Sequence, residues 1–552
     1  MHKSKYESNR FHSIDKEMNH HSVYIKDIYV LDMNCYFNQT KAVLIGWTLT
    51  GKKSYMGYTV EDLLKTLDNL KNEYKLTEYS DKCFYKDQVM IYTSNIAKVY
   101  GFLQDYVKDE DVFGTDLEIK QFTIKDYFIV SILGGWTDKD TNIGIYNDMK
   151  YIMDNVFVPN KNVYLTPYQY NRKSLKHLNK IPSVVPNDVV ESIVWRGCYY
   201  GGAAFSKRNI PYLKKNIVEF DRKSAYLYEY FMPHMSGPMI PIDTNLWKNW
   251  TDNFEDTISF GLYKIKFTMN HRMLNIFNRN KEPWKLNTEY EITISLLSID
   301  LKLFLQCADI IDIKCLSLYM YEKDMLPKPI IDHIVKCFID KETYKDDIHK
   351  TIANANYGSL CMELTHEQVK ELNKKPYYSP MWGYEIAAYA RQHLYDCGKN
   401  LDSWLYSDTD SIFCLDTPEN RVQIDLYNEY MQKVIKKGCE FYNLDFKQLE
   451  RLGLFKEEVK ITDFIVKGIR TYAYMTVDGE FIQKASGMCE DAKNTFEDWI
   501  SEDKDLDYGH RVVRTVKKDG YYEKTEKFYA EPNLNMSDDS MLTILLMGGE
   551  KW

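Results

Sequence analysis

The stretch Y-S-D-T-D-S-I-F, Tyr406 to Phe413, places two carboxylates one residue apart between the apolar runs W-L-Y and I-F-C-L. Short apolar runs on both sides of so polar a tip predict a buried hairpin. Side chains of an extended strand alternate with period two, so Asp408 and Asp410 are expected on one side and Thr409 on the other. Two like charges held together repel, and without a cation one takes up a proton. A divalent metal removes that conflict. A bare D-x-D is more commonly a solvated acidic turn. A calcium loop is a further alternative: Glu419 falls at its twelfth position, but Phe413 stands at the sixth, where glycine is needed, and Ile412 at the fifth has no ligand atom.

A third carboxylate occurs in a matching context. In N-I-V-E-F-D-R-K-S-A-Y-L-Y-E-Y-F a β-type run ends at Asp221, and Ser224 is placed to cap a helix carrying Tyr226 and Tyr230 on one face. A strand end beside a helix N-terminus offers one metal ligand and several backbone N–H groups, as a polyphosphate with bound cations requires. Positive charge comes from D-D-I-H-K-T-I-A-N-A-N-Y-G-S-L-C, where Lys350, Asn354 and Tyr357 fall at i, i+4 and i+7 on one predicted helical face that Gly358 closes. Singly these are a surface charge, a solvated amide and a packing ring. Together they fit nucleotidyl transfer by two metals, one activating a primer 3′-hydroxyl and the other neutralising the triphosphate.

The whole chain narrows the field further. At 552 residues it is too long for one small core. Its net charge of -9 excludes DNA binding by bulk electrostatics, so any nucleic acid must be held in a local basic groove. The 45 tyrosines suit stacking and phosphate contacts as well as ordinary packing. Eleven scattered cysteines without a C-x-x-C spacing predict reduced thiols and neither a zinc site nor a disulfide framework. The N-terminus lacks an apolar core, and the run I-S-L-L-S-I-D-L-K-L-F-L is broken by Asp300 and Lys302, so no secretory signal or membrane span is expected and the protein is predicted to be soluble and cytoplasmic.

Pattern along the chain divides it into a polar tail (1–22), an α/β domain (23–160) of alternating strand-like and amphipathic stretches, a polar linker (161–192), a mixed body (193–446), a β-containing C-terminal part (447–530) and a second tail (531–552). No internal repeat or low-complexity tract is visible.

D-R-K-S-A-Y resembles motif A (D-x-x-S-L-Y) of family B DNA polymerases, K-T-I-A-N-A-N-Y-G resembles motif B (K-x-x-x-N-S-x-Y-G), and Y-S-D-T-D-S resembles motif C (Y-x-D-T-D-S), in the family's order. The protein-primed branch of small phages matches further. Y-Y-G-G (Tyr199–Gly202) is similar to its Y-x-G-G element, F-I-D-K-E-T-Y-K to a segment ending in a triphosphate-binding lysine, A-Y-A-R to the end of a primer-contacting helix, R-T-Y to K-x-Y, and K-A-S-G-M with T-F-E-D-W to the thumb. The match runs from about Ile193 to Ala530. It implies an α/β and α+β multidomain fold, with an N-terminal ribonuclease H-like exonuclease-type domain followed by a right-hand polymerase whose palm and fingers, with inserted regions, occupy 193–446 and whose palm end and thumb occupy 447–530.

The resemblance implies Asp221, Asp408 and Asp410 as catalytic residues. Asp221, Asp410 and the backbone carbonyl of Arg222 would ligate two Mg²⁺ ions, for which Mn²⁺ would substitute, with Asp408 as close electrostatic support. Tyr226 would be the steric gate against a ribose 2′-OH. Lys345 and Lys350 would bind the incoming triphosphate, and Asn354 and Tyr357 would line the nascent base-pair pocket. Tyr199, Gly201, Gly202, Arg391, Arg470, Tyr472 and Lys484 would contact DNA. The implied partners are a DNA primer-template, deoxynucleoside triphosphates and a terminal priming protein. A monomer acting in the replication of a phage or mobile-element genome, in the host cytoplasm if phage-encoded, would follow.

Departures from the family pattern are specific. Ala225 and Leu227 stand where motif A usually has Leu and Pro, Ala355 replaces Ser in motif B, and Arg470 replaces a lysine, keeping the charge but changing its geometry. In the exonuclease-type domain V-L-D-M-N-C keeps Asp32 but has Asn34 for glutamate, Tyr100 stands near an expected aspartate, and I-Y-N-D-M-K keeps Asp148. Two carboxylates of four do not assemble two metal ions, so this domain is expected to be degenerate, with Asp32 and Asp148 as residual positions. Of the branch's two inserted regions, the one between motifs A and B looks full-length and includes the run around Asp300, whereas E-L-T-H-E-Q-V-K-E-L-N-K-K-P-Y-Y looks like a reduced form of the other. Rival readings are a non-catalytic DNA-binding polymerase relative and a reverse transcriptase or RNA polymerase; the bulky Tyr226 and the D-T-D-S form weigh against the latter.

Overall fold

The computed structural model describes residues 22–74, 85–107, 112–115, 118–124, 127–131, 141–152, 170–171, 174–175, 184–206, 212–244, 260–269, 292–307, 310–468, 470–501 and 504–528. The predicted tails, save residue 22, and most of the predicted linker lie outside these. The chain is a mixed α/β protein of two compact units: residues 1–170, 346–351 and 510–527 form the first, and 171–345, 352–509 and 528–552 the second.

The first unit is built on a nine-stranded sheet. Its centre is the strand Ser22–Asn38, antiparallel to Lys41–Thr50 and parallel to Tyr85–Thr93, which in turn runs parallel to Tyr127–Ser131. Helix Val60–Tyr74 begins where the Thr59 hydroxyl accepts the Asp62 N–H at 3.1 Å, and its i, i+4, i+7 leucines, Leu63, Leu67 and Leu70, are buried. They meet Leu31, Leu49, Val89 and Ile91 from the sheet, as the apolar alternation of those strands requires.

The C-terminal segment corrects the predicted domain boundary. Strands His510–Lys517 and Gly520–Lys527, expected to stay with 447–530, form a hairpin on the edge of the first unit's sheet. There the Glu523 N–H donates to Thr40 O at 2.9 Å, Gln104 Nε2 donates to Lys517 O at 3.0 Å, and Tyr521 is fully buried.

The second unit centres on a seven-stranded sheet in the order Phe481–Ala485, Thr471–Thr476, Phe455–Gly468, Leu213–Arg222, Ser411–Leu415, Trp404–Thr409, Ala203–Ser206, every pair antiparallel. On the strand Leu213–Arg222, Val218 and Phe220 face a core that includes Leu394 and Tyr395 of helix Pro380–Gly398 and Ile424 of helix Pro418–Tyr442. Ile217 faces the other way, into an aromatic cluster with Tyr406, Phe413, Phe464, Tyr472 and Tyr474. A smaller four-stranded sheet (Ile240–Ile242, Ile310–Met320, Gly261–Met269, Ile292–Leu297) and helix Ser298–Cys307 come from the segment read as an inserted region. The segment read as a reduced insertion contains a helix, His366–Lys374, begun by a capping box between Thr365 and Gln368.

Candidate active site

The acidic residues meet at one end of the seven-stranded sheet. Asp221 lies opposite Ser411, which lies opposite Asp408, and Lys456 flanks Asp221 on the far side. Residues directly opposite one another in an antiparallel pair share a face, so Asp408, Ser411, Asp221 and Lys456 form one row. The hairpin is as expected, but its tip is not an extended strand. Thr409 has φ 65°, Asp410 occupies the turn itself, and its N–H donates to Asp408 O at 2.7 Å. The period-two alternation therefore does not relate Asp408 to Asp410. Asp410 is instead bound to the neighbouring strand, its carbonyl accepting the Arg222 N–H at 3.1 Å.

Burial dominates the electrostatics. It pushes the Asp410 carboxyl up to about 7, reinforced by the Asp221 charge and opposed by Arg222. Asp221 is raised to about 6 by burial and by Glu458, against the pull of Lys341, Lys484 and Lys456. Glu219, two residues earlier on the same strand face, is raised by burial to about 7. Asp408 takes another course: Arg470 Nε lies 3.4 Å from its Oδ1 and the Thr409 hydroxyl donates to the same oxygen at 3.1 Å. The charges of Asp221 and Asp408 both act on Asp410, although among the described residues no three Asp, Glu, His or Cys side chains group closely enough to be a metal site by themselves.

The pair Asp221 and Asp410 still fits a divalent cation: two oxygen donors, desolvated and mutually repelling, are raised toward protonation for want of positive charge. Arg222 sends its side chain to the opposite side, where Nη1 lies 2.7 Å from Glu229 Oε1 and Nε donates to Gly453 O at 3.1 Å, so only its main chain is available beside the carboxylates.

Next to this row lies an aromatic cluster. Ser224 sits at the predicted cap position but in the left-handed region (φ 51°) and makes no side-chain cap; its hydroxyl accepts from Lys341 Nζ at 2.8 Å. The helix it begins is a single turn, Ala225–Tyr228, and Tyr230 falls in the 3-10 turn that follows, so Tyr226 and Tyr230 share no long face. The Tyr226 ring stacks on Tyr357 at 4.3 Å and 16°. Tyr357 in turn shares a 2.8 Å hydroxyl hydrogen bond with Tyr199. Gly202 packs against the cluster: a Cβ there would lie 2.7 Å from both the Tyr226 hydroxyl and Thr409 Cγ2, whereas Gly201 faces open space.

Helix Asp347–Leu360 carries Lys350, Asn354 and Tyr357 as predicted, with Lys350 and Asn354 exposed, but it runs through Gly358 to Leu360. Its first turn, with Lys350, belongs to the first unit. Lys345 is the left-handed C-cap (φ 54°) of helix Lys328–Tyr344 and is exposed. On the other side of Asp408, a cleft of about 510 Å³ is lined by Asp408, Arg470, Tyr472, Gln483, Lys484 and Met488. Arg470 (φ 55°) is fixed by its N–H donating to Tyr406 OH at 2.9 Å, and Lys484 Nζ lies 5.7 Å from the centre of the Tyr472 ring.

Arg391 does not stand where a DNA contact would. Its side chain is completely buried and paired with Asp300. Sequence reasoning also passed over Glu219 and Lys341. The first is visible only as an acidic residue at i-2 from Asp221, and the second lies inside the F-I-D-K-E-T-Y-K segment, whose resemblance points to its last lysine.

In the first unit Asp32 forms an ion pair with Lys98 Nζ at 2.8 Å. Asn34 adjoins a register shift of the same strand, Asp148 lies on helix Asn142–Tyr151, and Tyr100 packs its ring 5.4 Å from Phe122. Asp32 thus has an ammonium in direct contact, whereas the lysines near Asp221 act on it only from a distance.

No protein-family model and no curated protein sequence matches the chain. Solved structures do. Phi29 DNA polymerase with single-stranded DNA matches at a TM-score of 0.64 and 15% identity, covering 91% of this chain and 99% of that one. The same polymerase with primer-template DNA matches at 0.64 and 15%, covering 91% and 100%, and with primer-template DNA and incoming nucleotide at 0.63 and 14%, covering 91% and 99%. At such identity the likeness is one of fold, and it extends over nearly the whole of both chains.

Proposed function

We propose that the chain is a DNA-directed DNA polymerase of the protein-primed family B type, extending a primer 3′-hydroxyl or a terminal-protein hydroxyl with deoxynucleotides. The observation that carries this reading is the nearness of Asp221, at a strand end, and Asp410, in the adjoining hairpin turn, both raised by burial, beside the cluster of Tyr226, Tyr357 and Gly202. The fold likeness to a polymerase solved with primer-template and nucleotide supports it, as do the three ordered motifs.

Asp221, Asp410 and the Arg222 carbonyl would hold the divalent ions, magnesium by preference for oxygen donors. When bound, such ions activate the attacking hydroxyl and neutralise the leaving pyrophosphate. Tyr226, stacked on Tyr357, would exclude a 2′-hydroxyl by occupying its space, and Asn354 would line the base-pair pocket. Lys350 and Lys345 would draw the triphosphate, and Lys341, hydrogen-bonded to Ser224, would add positive charge near Asp221. Arg470, Tyr472 and Lys484 line a cleft suited to a primer terminus. Tyr199, Gly201 and Gly202 would border the template path. The terminal protein as primer, the monomeric state, the phage or mobile-element setting and a non-cleaving exonuclease-type domain complete the reading.

Primer extension tests it. Wild type should extend a DNA primer on a DNA template with deoxynucleotides and Mg²⁺, and Asp410→Asn should lower the rate by about a thousandfold, the several kcal/mol a metal contributes. A variant as active as wild type removes the mechanism. Binding of primer-template without extension by wild type favours the non-catalytic relative.

A further inference from the structure

We infer that Asp300 and Arg391 are positioning residues: a buried ion pair that holds the Tyr199–Gly202 loop against the nucleotide pocket. Its consequence for substrate rests on the polymerase reading above, whereas the holding of the loop does not.

The geometry is a fork. Arg391 Nε donates to Asp300 Oδ1 at 3.0 Å and Nη2 to Oδ2 at 2.7 Å, a bidentate pair with both side chains at 0% exposure. Nη1 is turned the other way, donating to the carbonyl of Tyr200 and, at 2.7 Å, to that of Gly201. A planar guanidinium is the side chain that grips a carboxylate and two carbonyls from one fixed plane. Desolvation pulls the Arg391 guanidinium down, but the charge and hydrogen bonds of Asp300, with smaller contributions from Tyr357 and Tyr226, together more than offset it, so the guanidinium stays charged despite burial. The two carbonyls so held precede Gly202, whose missing Cβ allows contact with Tyr226 and Thr409, and they follow Tyr199, whose hydroxyl meets Tyr357. Fixing the carbonyls of Tyr200 and Gly201 therefore fixes both ends of the loop on the pocket walls.

Stability alone is a poor reason for such a pair. Two apolar side chains of similar volume commonly serve a core as well or better than a buried ion pair. The pair also joins distant parts of the chain: Asp300 stands on helix Ser298–Cys307 of the inserted segment and Arg391 on helix Pro380–Gly398. The inserted segment is thus wired to the wall of the pocket.

The test uses the full-length double variant Asp300→Leu with Arg391→Met, which removes the fork while keeping the core apolar and filled. We expect a melting temperature close to wild type and amide hydrogen exchange at Gly201 and Gly202 about tenfold faster. The KM for nucleotide should rise about tenfold with kcat less affected. Unchanged exchange in the folded double variant overturns the proposal. Should that variant fail to fold, Arg391→Lys keeps the charge toward Asp300 but cannot fork; faster loop exchange is again expected, and exchange like wild type overturns the proposal. Faster exchange with an unchanged KM overturns its functional half. If wild type incorporates no nucleotide, the polymerase reading falls and the exchange result alone decides whether the pair positions the loop.

Discussion

Asp410 is a carboxyl that the fold prefers uncharged, and the sign of its effect on stability follows. Its value in the folded protein, about 7, lies above that of an ordinary carboxyl. Below the ordinary range both folded and unfolded forms are protonated and the favourable contribution is fully present. As pH rises toward 7 the unfolded chain ionises first, so stability is lost across that window, on the order of 2–4 kcal/mol by neutral to mildly alkaline pH. Asp410→Asn should therefore raise the melting temperature of the metal-free protein at pH 8, with the gain shrinking as pH falls to 5. Calorimetry in a chelator reads this directly, and a gain independent of pH would contradict it. The adjoining glycines give a second contrast. Gly202→Ala forces a Cβ to within 2.7 Å of the Tyr226 hydroxyl and Thr409, an overpacking that costs about 1–3 kcal/mol and distorts the pocket, whereas Gly201→Ala meets nothing within 4 Å. Nucleotide KM and melting temperature should change for the first and barely for the second.

Elements were legible wherever their pattern is local. The hairpin around Asp408 and Asp410 follows from the apolar runs beside it, the strand ending near Asp221 from N-I-V-E-F, and helix Val60–Tyr74 from its leucine spacing. What failed depended on conformations or partners that no local pattern encodes. The left-handed backbone of Thr409 replaced alternation by a turn, and that of Ser224 replaced a cap by a bond to Lys341. Helix Asp347–Leu360 continued through Gly358 because one glycine weakens a helix without ending it. Arg391 ended the right motif, but its partner lies 91 residues away. The terminal hairpin is the plainest case, since its sequence names no destination and its sheet partner Lys41 lies at the other end of the chain. Tyr521 anchors it, fully buried with its hydroxyl donating to Glu523 Oε2 at 2.6 Å. Tyr521→Ala should destabilise the first unit by about 3 kcal/mol, and Tyr521→Phe by much less. Equal effects of the two, in urea unfolding followed by exchange of first-unit amides, would show that the hydroxyl and not the ring carries the docking.

The acidic residues of the two units differ in charge balance, and a separate expectation follows for each unit. In the second unit Asp221 and Asp410 are desolvated, mutually repelling and raised toward protonation, a state that a divalent cation relieves. In the first unit Asp32 already has the Lys98 ammonium at 2.8 Å, and a cation would have to displace it. Binding that favours the folded form raises stability by mass action. Mg²⁺ should therefore raise the melting temperature of wild type and of Asp32→Ala alike, with the rise abolished in Asp410→Asn. The same asymmetry predicts that a labelled primer with a mismatched 3′ end, incubated with Mg²⁺ and no nucleotides, stays full length. Lys98→Met should leave it so, because uncovering one carboxylate beside Asn34 does not assemble a two-ion site. Progressive 3′ shortening by wild type, lost on Asp32→Ala, would show that the first unit cleaves despite its ion pair, and that the charge on Lys98 serves the reaction instead of closing the site.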